Sequence, residues 1–153
     1  LENKIIAEGL AMPHTPRIYN NELFVLLSAT GELIKINPND GSYDVIVKID
    51  GFVRGMCLHK DYLFIGLSKL REKSSTFGKL PFAKNANQAG IVIVHLPTKS
   101  ISGKITYLSS LDEIYDVHVL ADKIRPNILN TLNEDYKEGL SIPGSTFWKR
   151  KKE

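Results

Sequence analysis

A chain of 153 residues, 42% hydrophobic and 24% charged, is long enough for one domain with a proper core and reads as a globular protein. Its formal net charge of +3 favours neither a nucleic-acid protein nor a strongly acidic partner. A single cysteine, Cys57, excludes an intrachain disulfide framework, and no run approaches the ~18 apolar residues of a membrane-spanning helix.

Residues 1–6 lack the apolar core and small-residue cleavage site of a secretory signal. Together with the lone thiol, which sits in the apolar run Met56-Cys57-Leu58 and reads as buried and inert, this points to a reducing, cytoplasmic compartment. The chain does not begin with Met, which suggests a processed chain or a fragment.

Residues 23–27 form a continuous apolar run of the kind found in buried strands. Ile34 and Ile36 then alternate with Lys35 and Asn37, and Pro38-Asn39-Asp40-Gly41 supplies a turn before a β-branched stretch at 43–49. Residues 52–58 are the next strand, followed by a polar turn at 59–61 and a strand at 62–67. Residues 90–96 and 103–108 repeat the hairpin around Pro97-Thr98-Lys99-Ser100, and 114–120 closes the pattern. Helical periodicity is confined to a weak candidate at 131–138. The chain reads as all-β.

Two of these stretches are copies. Leu23-Phe24-Val25 recurs 40 residues later as Leu63-Phe64-Ile65, and Gly31 to Pro38 matches Gly90 to Pro97. The second copy carries 19 extra residues, about 70–89. A period near 40 built from short strands marks propeller blades. The expected architecture is therefore a β-propeller-like array of about three blades of antiparallel sheet with a 19-residue loop insertion, over residues 1–126. Residues 127–153 read as an irregular tail whose basic end, 148–152, is a solvated charge run.

Aligning the segment before each Leu-Phe pair on its glycine sets Glu8-Gly9, Arg54-Gly55 and Tyr115-Asp116 at one level. In a blade this would be the innermost strand, where a small residue lets the backbone crowd a central channel. On that alignment the first copy holds six excess residues, centred on Pro13-His14-Thr15-Pro16-Arg17. This segment and the 69–89 insert are the two interruptions of the repeat, and loops held by a rigid scaffold are where binding residues concentrate. The insert carries Lys69, Arg71 and Glu72 with Phe77 and Phe82 interleaved. That mixture suits an anionic or sugar-like ligand or a protein segment. The bland alternative, which weighs more, is a solvated loop pinned by its phenylalanines.

Met12-Pro13-His14-Thr15-Pro16-Arg17, Gly66-Leu67-Ser68-Lys69-Leu70-Arg71-Glu72, Thr76-Phe77-Gly78-Lys79-Leu80-Pro81 and Glu113-Ile114-Tyr115-Asp116-Val117 also carry a resemblance. In order and spacing they resemble a bacterial family of uncharacterised proteins, a domain of unknown function with a propeller-like fold, over residues 9–126. The resemblance implies a larger domain, of which this chain matches the C-terminal half, and it implies no reaction.

Catalytic patterns are sparse. His14, His59, His95 and His118 are scattered without zinc spacing, no serine lies in Gly-x-Ser-x-Gly, and no phosphate loop or calcium loop occurs. No cofactor is expected. The converging inner strands leave one constellation, Glu8, Arg54, Tyr115 and Asp116, able to bind a small polar ligand or, through its carboxylates, a divalent cation. The competing reading is structural, with Arg54 paired to Asp116 or Glu8 merely to neutralise a crowded channel.

The leading functional expectation is a non-catalytic ligand- or protein-binding module whose candidate residues are Glu8, His14, Arg17, Arg54, Lys69, Arg71, Glu72, Tyr115 and Asp116. The alternative is a channel-centred metal-dependent hydrolase or lyase of the six-bladed propeller type, an analogy of fold alone. Expected partners are a small polar ligand or a protein, with self-association or pairing with an N-terminal half, and neither nucleic acid nor membrane.

Overall fold

The computed structural model describes residues 3–70, 88–108, 111–124, 126, 132, 134, 137, 139–142 and 145–148, with 140–142 and 145–148 described by their backbone. The chain divides into two compact units, Leu1–Val119 and Leu120–Glu153.

The first unit holds two four-stranded antiparallel sheets. One runs β1 (Pro13–Tyr19), β2 (Glu22–Leu27), β3 (Glu32–Ile36) and β4 (Tyr43–Lys48). The other runs β5 (Phe52–His59), β6 (Tyr62–Ser68), β7 (Ala89–His95) and β8 (Ser100–Tyr107). In each, spatial order equals chain order, and neither sheet closes into a barrel. The second unit contains a hairpin of β9 (Gly139–Ile142) and β10 (Ser145–Trp148). The elements among the described residues are all strands, as the alternation predicted. The helix candidate at 131–138 lies mostly outside the described residues.

The two sheets are copies down to their irregularities. Pro13 pairs with Leu27 and Val53 with Leu67, so equivalent residues of β1 and β5 differ by a constant 40 positions. Both strands then break register, between His14 and Arg17 and between Val53 and Met56. At each break one residue takes a left-handed backbone, Thr15 at φ 52° and Gly55 at φ 73°. The turns match as well, with Asn20 at φ 50° and Lys60 at φ 53°.

This corrects the alignment on Gly9. The first strand is not 8–12 followed by a six-residue loop, because 13–19 is itself the strand. Pro13 opens β1 and Pro16 falls in the bulge of an edge strand, where a missing N–H costs no ladder bond. The counterpart of Gly55 is Thr15, and the counterpart of Arg54 is His14. Residues 114–120, expected as a strand, carry no strand pairing among the described residues. The Ile114 backbone turns instead to the Ser68 hydroxyl, and the Asp112 carbonyl accepts from the Lys69 amide.

The sheets pack through alternation. Phe24, Leu26 and Leu33 leave one face of the first sheet and meet Leu63, Ile65, Leu67, Val92 and Val94 of the second in a single buried cluster. Val25, Leu27, Ile34 and Ile36 leave the opposite face and are covered by Ala7 and Leu10 of the N-terminal segment. Successive side chains of a strand point to opposite faces, so each apolar run in β2 serves two interfaces. The Tyr19 hydroxyl donates to the Met56 carbonyl at 3.1 Å and ties the first sheet to the second.

A pair of serines does the same between each copy and the next. Buried Ser28 donates through Oγ to the Val53 carbonyl at 2.7 Å. Ser68, its equivalent 40 residues on, donates to the Ile114 carbonyl at 3.1 Å and accepts the Ile114 N–H at 2.9 Å. Ile114 therefore stands to the serine of the second sheet as Val53 stands to the serine of the first.

Candidate functional site

That correspondence decides which side chains share a level. His14 and Arg54 occupy one position in the two sheets, and Tyr115 lies one residue beyond Ile114 as Arg54 lies one residue beyond Val53, with Thr15, Gly55 and Asp116 following them. β1 and β5 are the first strands of their sheets, so this position lies along the first-strand edge of both.

The backbones approach closely there. The Gly55 N–H donates to Thr15 Oγ1 at 3.1 Å. A Cβ added to Gly55 would stand 2.4 Å from the Asp116 Cα, and one added to Gly66 would stand 2.3 Å from the Arg54 carbonyl oxygen. Gly66 occupies the place that Leu26 holds in the first sheet. Its missing side chain is what lets the Ile114 and Val117 side chains settle on β6.

The side chains then form a continuous row. The Arg54 guanidinium lies over the Tyr115 ring, 4.5 Å from its centroid, a cation–π contact. Half-buried His14 stands close enough to feel that charge: burial first, and the Arg54 guanidinium second, hold its pKa below the ordinary imidazole value. Arg17 pairs with Asp116, Nη2 to Oδ2 at 3.0 Å, while Asp116 Oδ1 accepts the Val117 N–H at 2.9 Å. The Tyr115 hydroxyl donates to Glu113 Oε2 at 2.6 Å. One step along, Lys69 reaches Asp112 with its ammonium at 2.8 Å and donates its backbone N–H to the same residue's carbonyl at 2.8 Å.

Of the residues singled out from the sequence, His14, Arg17, Arg54, Tyr115 and Asp116 therefore come together, with Lys69 adjoining through Asp112. Glu8 does not join them in the way expected, because it lies exposed in the segment that covers the outer face of the first sheet. Asp116 takes Arg17 as its ion-pair partner, and Arg54 takes an aromatic ring. Arg71 and Glu72 lie outside the described residues. Among the described residues no group of three His, Cys, Asp or Glu side chains could hold a metal ion. Thr15, Ser68, Asp112 and Glu113 were missed. Counting 40 residues back from Gly55 would have found Thr15, but a search for small residues passes over threonine.

A separate open groove of about 290 Å³ lies over β3 and β4, lined by residues that include Asn21, Lys35, Asn37, Ser42 and Asp44. Lys35 there is already bound to Glu22 at 2.8 Å, and the groove shares no residue with the row. The row is where unlike chemistry from three separate segments converges.

Comparison with known families agrees with the sequence resemblance. The domain of unknown function DUF4915 matches residues 1–129. The chain belongs to this family. No curated protein matches the chain. The DUF4915 match takes in both four-stranded sheets and the whole of the row, from His14 to Asp116. No described helix is long and apolar enough to cross a membrane.

Proposed function

We propose that this DUF4915 chain is a propeller-type, non-catalytic binding module that takes a small polar ligand at the row His14, Arg54 and Tyr115. The propeller reading draws support from the way the copies stack. The face of the first sheet bearing Phe24 and Leu33 packs on the second sheet. The equivalent face of the second sheet, bearing Phe64 and Ile91, already receives Ile114 and Val117 against Gly66. Each copy thus offers the same face to the next, which is how blades follow one another around an axis.

The binding reading is carried by one observation: a position outside both buried clusters brings imidazole, guanidinium and phenol near one another from three segments of the chain. Packing demands apolar side chains at neighbouring positions such as Val53, but it does not call for this combination. Binding modules characteristically hold a few convergent polar groups on a rigid frame. Catalysis by a channel metal would require free converging carboxylates, whereas Asp116 is engaged at both oxygens.

The test is a cocktail of neutral, cationic and anionic polar fragments titrated into the full chain, with chemical shifts of the His14, Arg54 and Tyr115 side chains followed by NMR. Saturable shifts that centre on the row are expected. A row that stays silent to every fragment overturns the proposal, and shifts centred on the β3–β4 groove would move the site there.

A further inference from the structure

We infer that the ligand of this row is an anion presenting a carboxylate or a phosphate, bound by the fork of Arg54. The inference rests on the binding reading above and narrows its chemistry. Arg54 is half-buried, and among the described residues its contact is the Tyr115 ring. A guanidinium held over an aromatic ring spends none of its N–H donors on conventional hydrogen bonds there, and those donors match the two oxygens of a carboxylate or phosphate. The ring contact also restrains the guanidinium before any ligand arrives, which lowers the ordering cost of binding.

Among the described residues, no ion pair or hydrogen bond joins a neighbouring carboxylate to these donors. Asp116 is engaged by Arg17 and the Val117 N–H, Asp112 by Lys69, and Glu113 Oε2 by the Tyr115 hydroxyl. The three acids of the segment, Asp112, Glu113 and Asp116, thus have partners of their own. Arg54 is the cation that the run 112–116 does not neutralise. Thr15 and His14 supply the second half of the recognition. The Thr15 oxygen accepts the Gly55 N–H and retains its own hydroxyl proton for donation. His14, kept neutral beside Arg54, offers an acceptor or a donor without adding a competing charge. The arrangement suits an anion that also carries a hydroxyl.

The experiment titrates the full chain separately with citrate, inorganic phosphate and glucose, following the arginine Nε–Hε signals and the Tyr115 ring. A saturable shift of Arg54 with citrate or phosphate, larger than that of Arg17, is expected. Citrate alone identifies a carboxylate ligand, and phosphate alone a phosphate ester or free phosphate. Arg54→Lys keeps the charge and loses the fork, so it should weaken that affinity about 10-fold or more while the amide spectrum stays folded. Equal binding to Arg54→Lys, or glucose shifting the row as strongly as the anions, overturns the anion assignment while leaving the row a binding site. Silence to both anions when other fragments move the row has the same meaning, and silence to all probes overturns the assignment together with the reading beneath it.

Discussion

Replacing Gly55 with alanine isolates the contact between β5 and residues 113–117. Gly55 has φ 73°, and its added Cβ would meet the Asp116 Cα at 2.4 Å, the Asp116 carbonyl carbon at 2.9 Å and the Val117 nitrogen at 3.0 Å. Two costs follow. An L side chain in the left-handed region loses about 1–2 kcal/mol. Forcing backbone atoms apart in a packed site adds about 1–3 kcal/mol, because backbone cannot rotate away as a side-chain tip can. Gly9 provides the control, with nearly the same φ of 72° and nothing within 4 Å of its added Cβ. Gly9→Ala should lose only the conformational share, about 1–2 kcal/mol, and Gly55→Ala about 2–5 kcal/mol. Urea unfolding followed by circular dichroism measures both, provided the m-values stay equal. In thermal unfolding the difference should separate the two midpoints by several degrees, at about 2–4 °C per kcal/mol for a domain of this size. The Arg17–Asp116 pair does not blur the comparison, because side chains 45% and 55% exposed form a bridge worth at most about 1 kcal/mol. Equal losses for the two variants would refute the reasoning, since residues 113–117 would then not press on β5.

Ser68→Ala should cost about 1–3 kcal/mol, because it strands both the N–H and the carbonyl of Ile114, whereas Ser28→Ala removes a single bond and should cost about 1 kcal/mol. Hydrogen exchange at the Ile114 amide should accelerate in the first variant only. The depressed His14 pKa predicts that stability falls with acid: between the ordinary imidazole value and the lower folded value the unfolded chain binds the extra proton, so this contribution is complete above that window and is lost through it. Urea midpoints measured across pH should lose that slope in His14→Gln, and Arg54→Gln should bring the His14 pKa part of the way back up. Replacing residues 70–88 with a short Gly-containing turn should preserve β-sheet content, since Leu67 and Gly90 are already paired, and should stabilise the chain by about 1–1.5 kcal/mol through easier loop closure. Loss of the circular dichroism β signal would show that the insert supports the sheets.

The strands were legible because alternation and turn chemistry act locally. Pro38-Asn39-Asp40-Gly41 closes β3 onto β4, and the Asn37 carboxamide and Asp40 carboxylate cap that turn with short-range hydrogen bonds. The 40-residue repeat was legible for the same reason, since Leu-Phe-aliphatic marks a strand that is buried on both faces. β1 was not. A left-handed residue is ordinarily sought among glycines, and Thr15 adopts φ 52° because its hydroxyl accepts the Gly55 N–H of the next copy. The compensation lies 40 residues away, beyond any window of local pattern. The Arg17–Asp116 pair, 99 residues apart, was equally out of reach. Sequence arithmetic could place Arg54 beside an acid, but which acid depends on the true register of β1.

The corrected register also explains why a row of unlike residues can arise in a repeat at all. Positions on either apolar face answer to packing, and they stay alike: Phe24 and Phe64, Val25 and Ile65, Leu27 and Leu67. Ser28 and Ser68 stay identical because each must bind the backbone of the copy that follows. The position of His14, Arg54 and Tyr115 answers to neither demand, since it sits one residue beyond the serine-bound carbonyls of Val53 and Ile114. It is free to differ from segment to segment, yet packing sets Arg54 against the Tyr115 ring and within electrostatic reach of His14. Repetition thus supplies proximity without supplying identity. A site assembled this way should tolerate substitution at the row with little loss of stability, and lose stability sharply at Gly55, one residue beyond Arg54, where the Asp116 backbone leaves no room for a side chain.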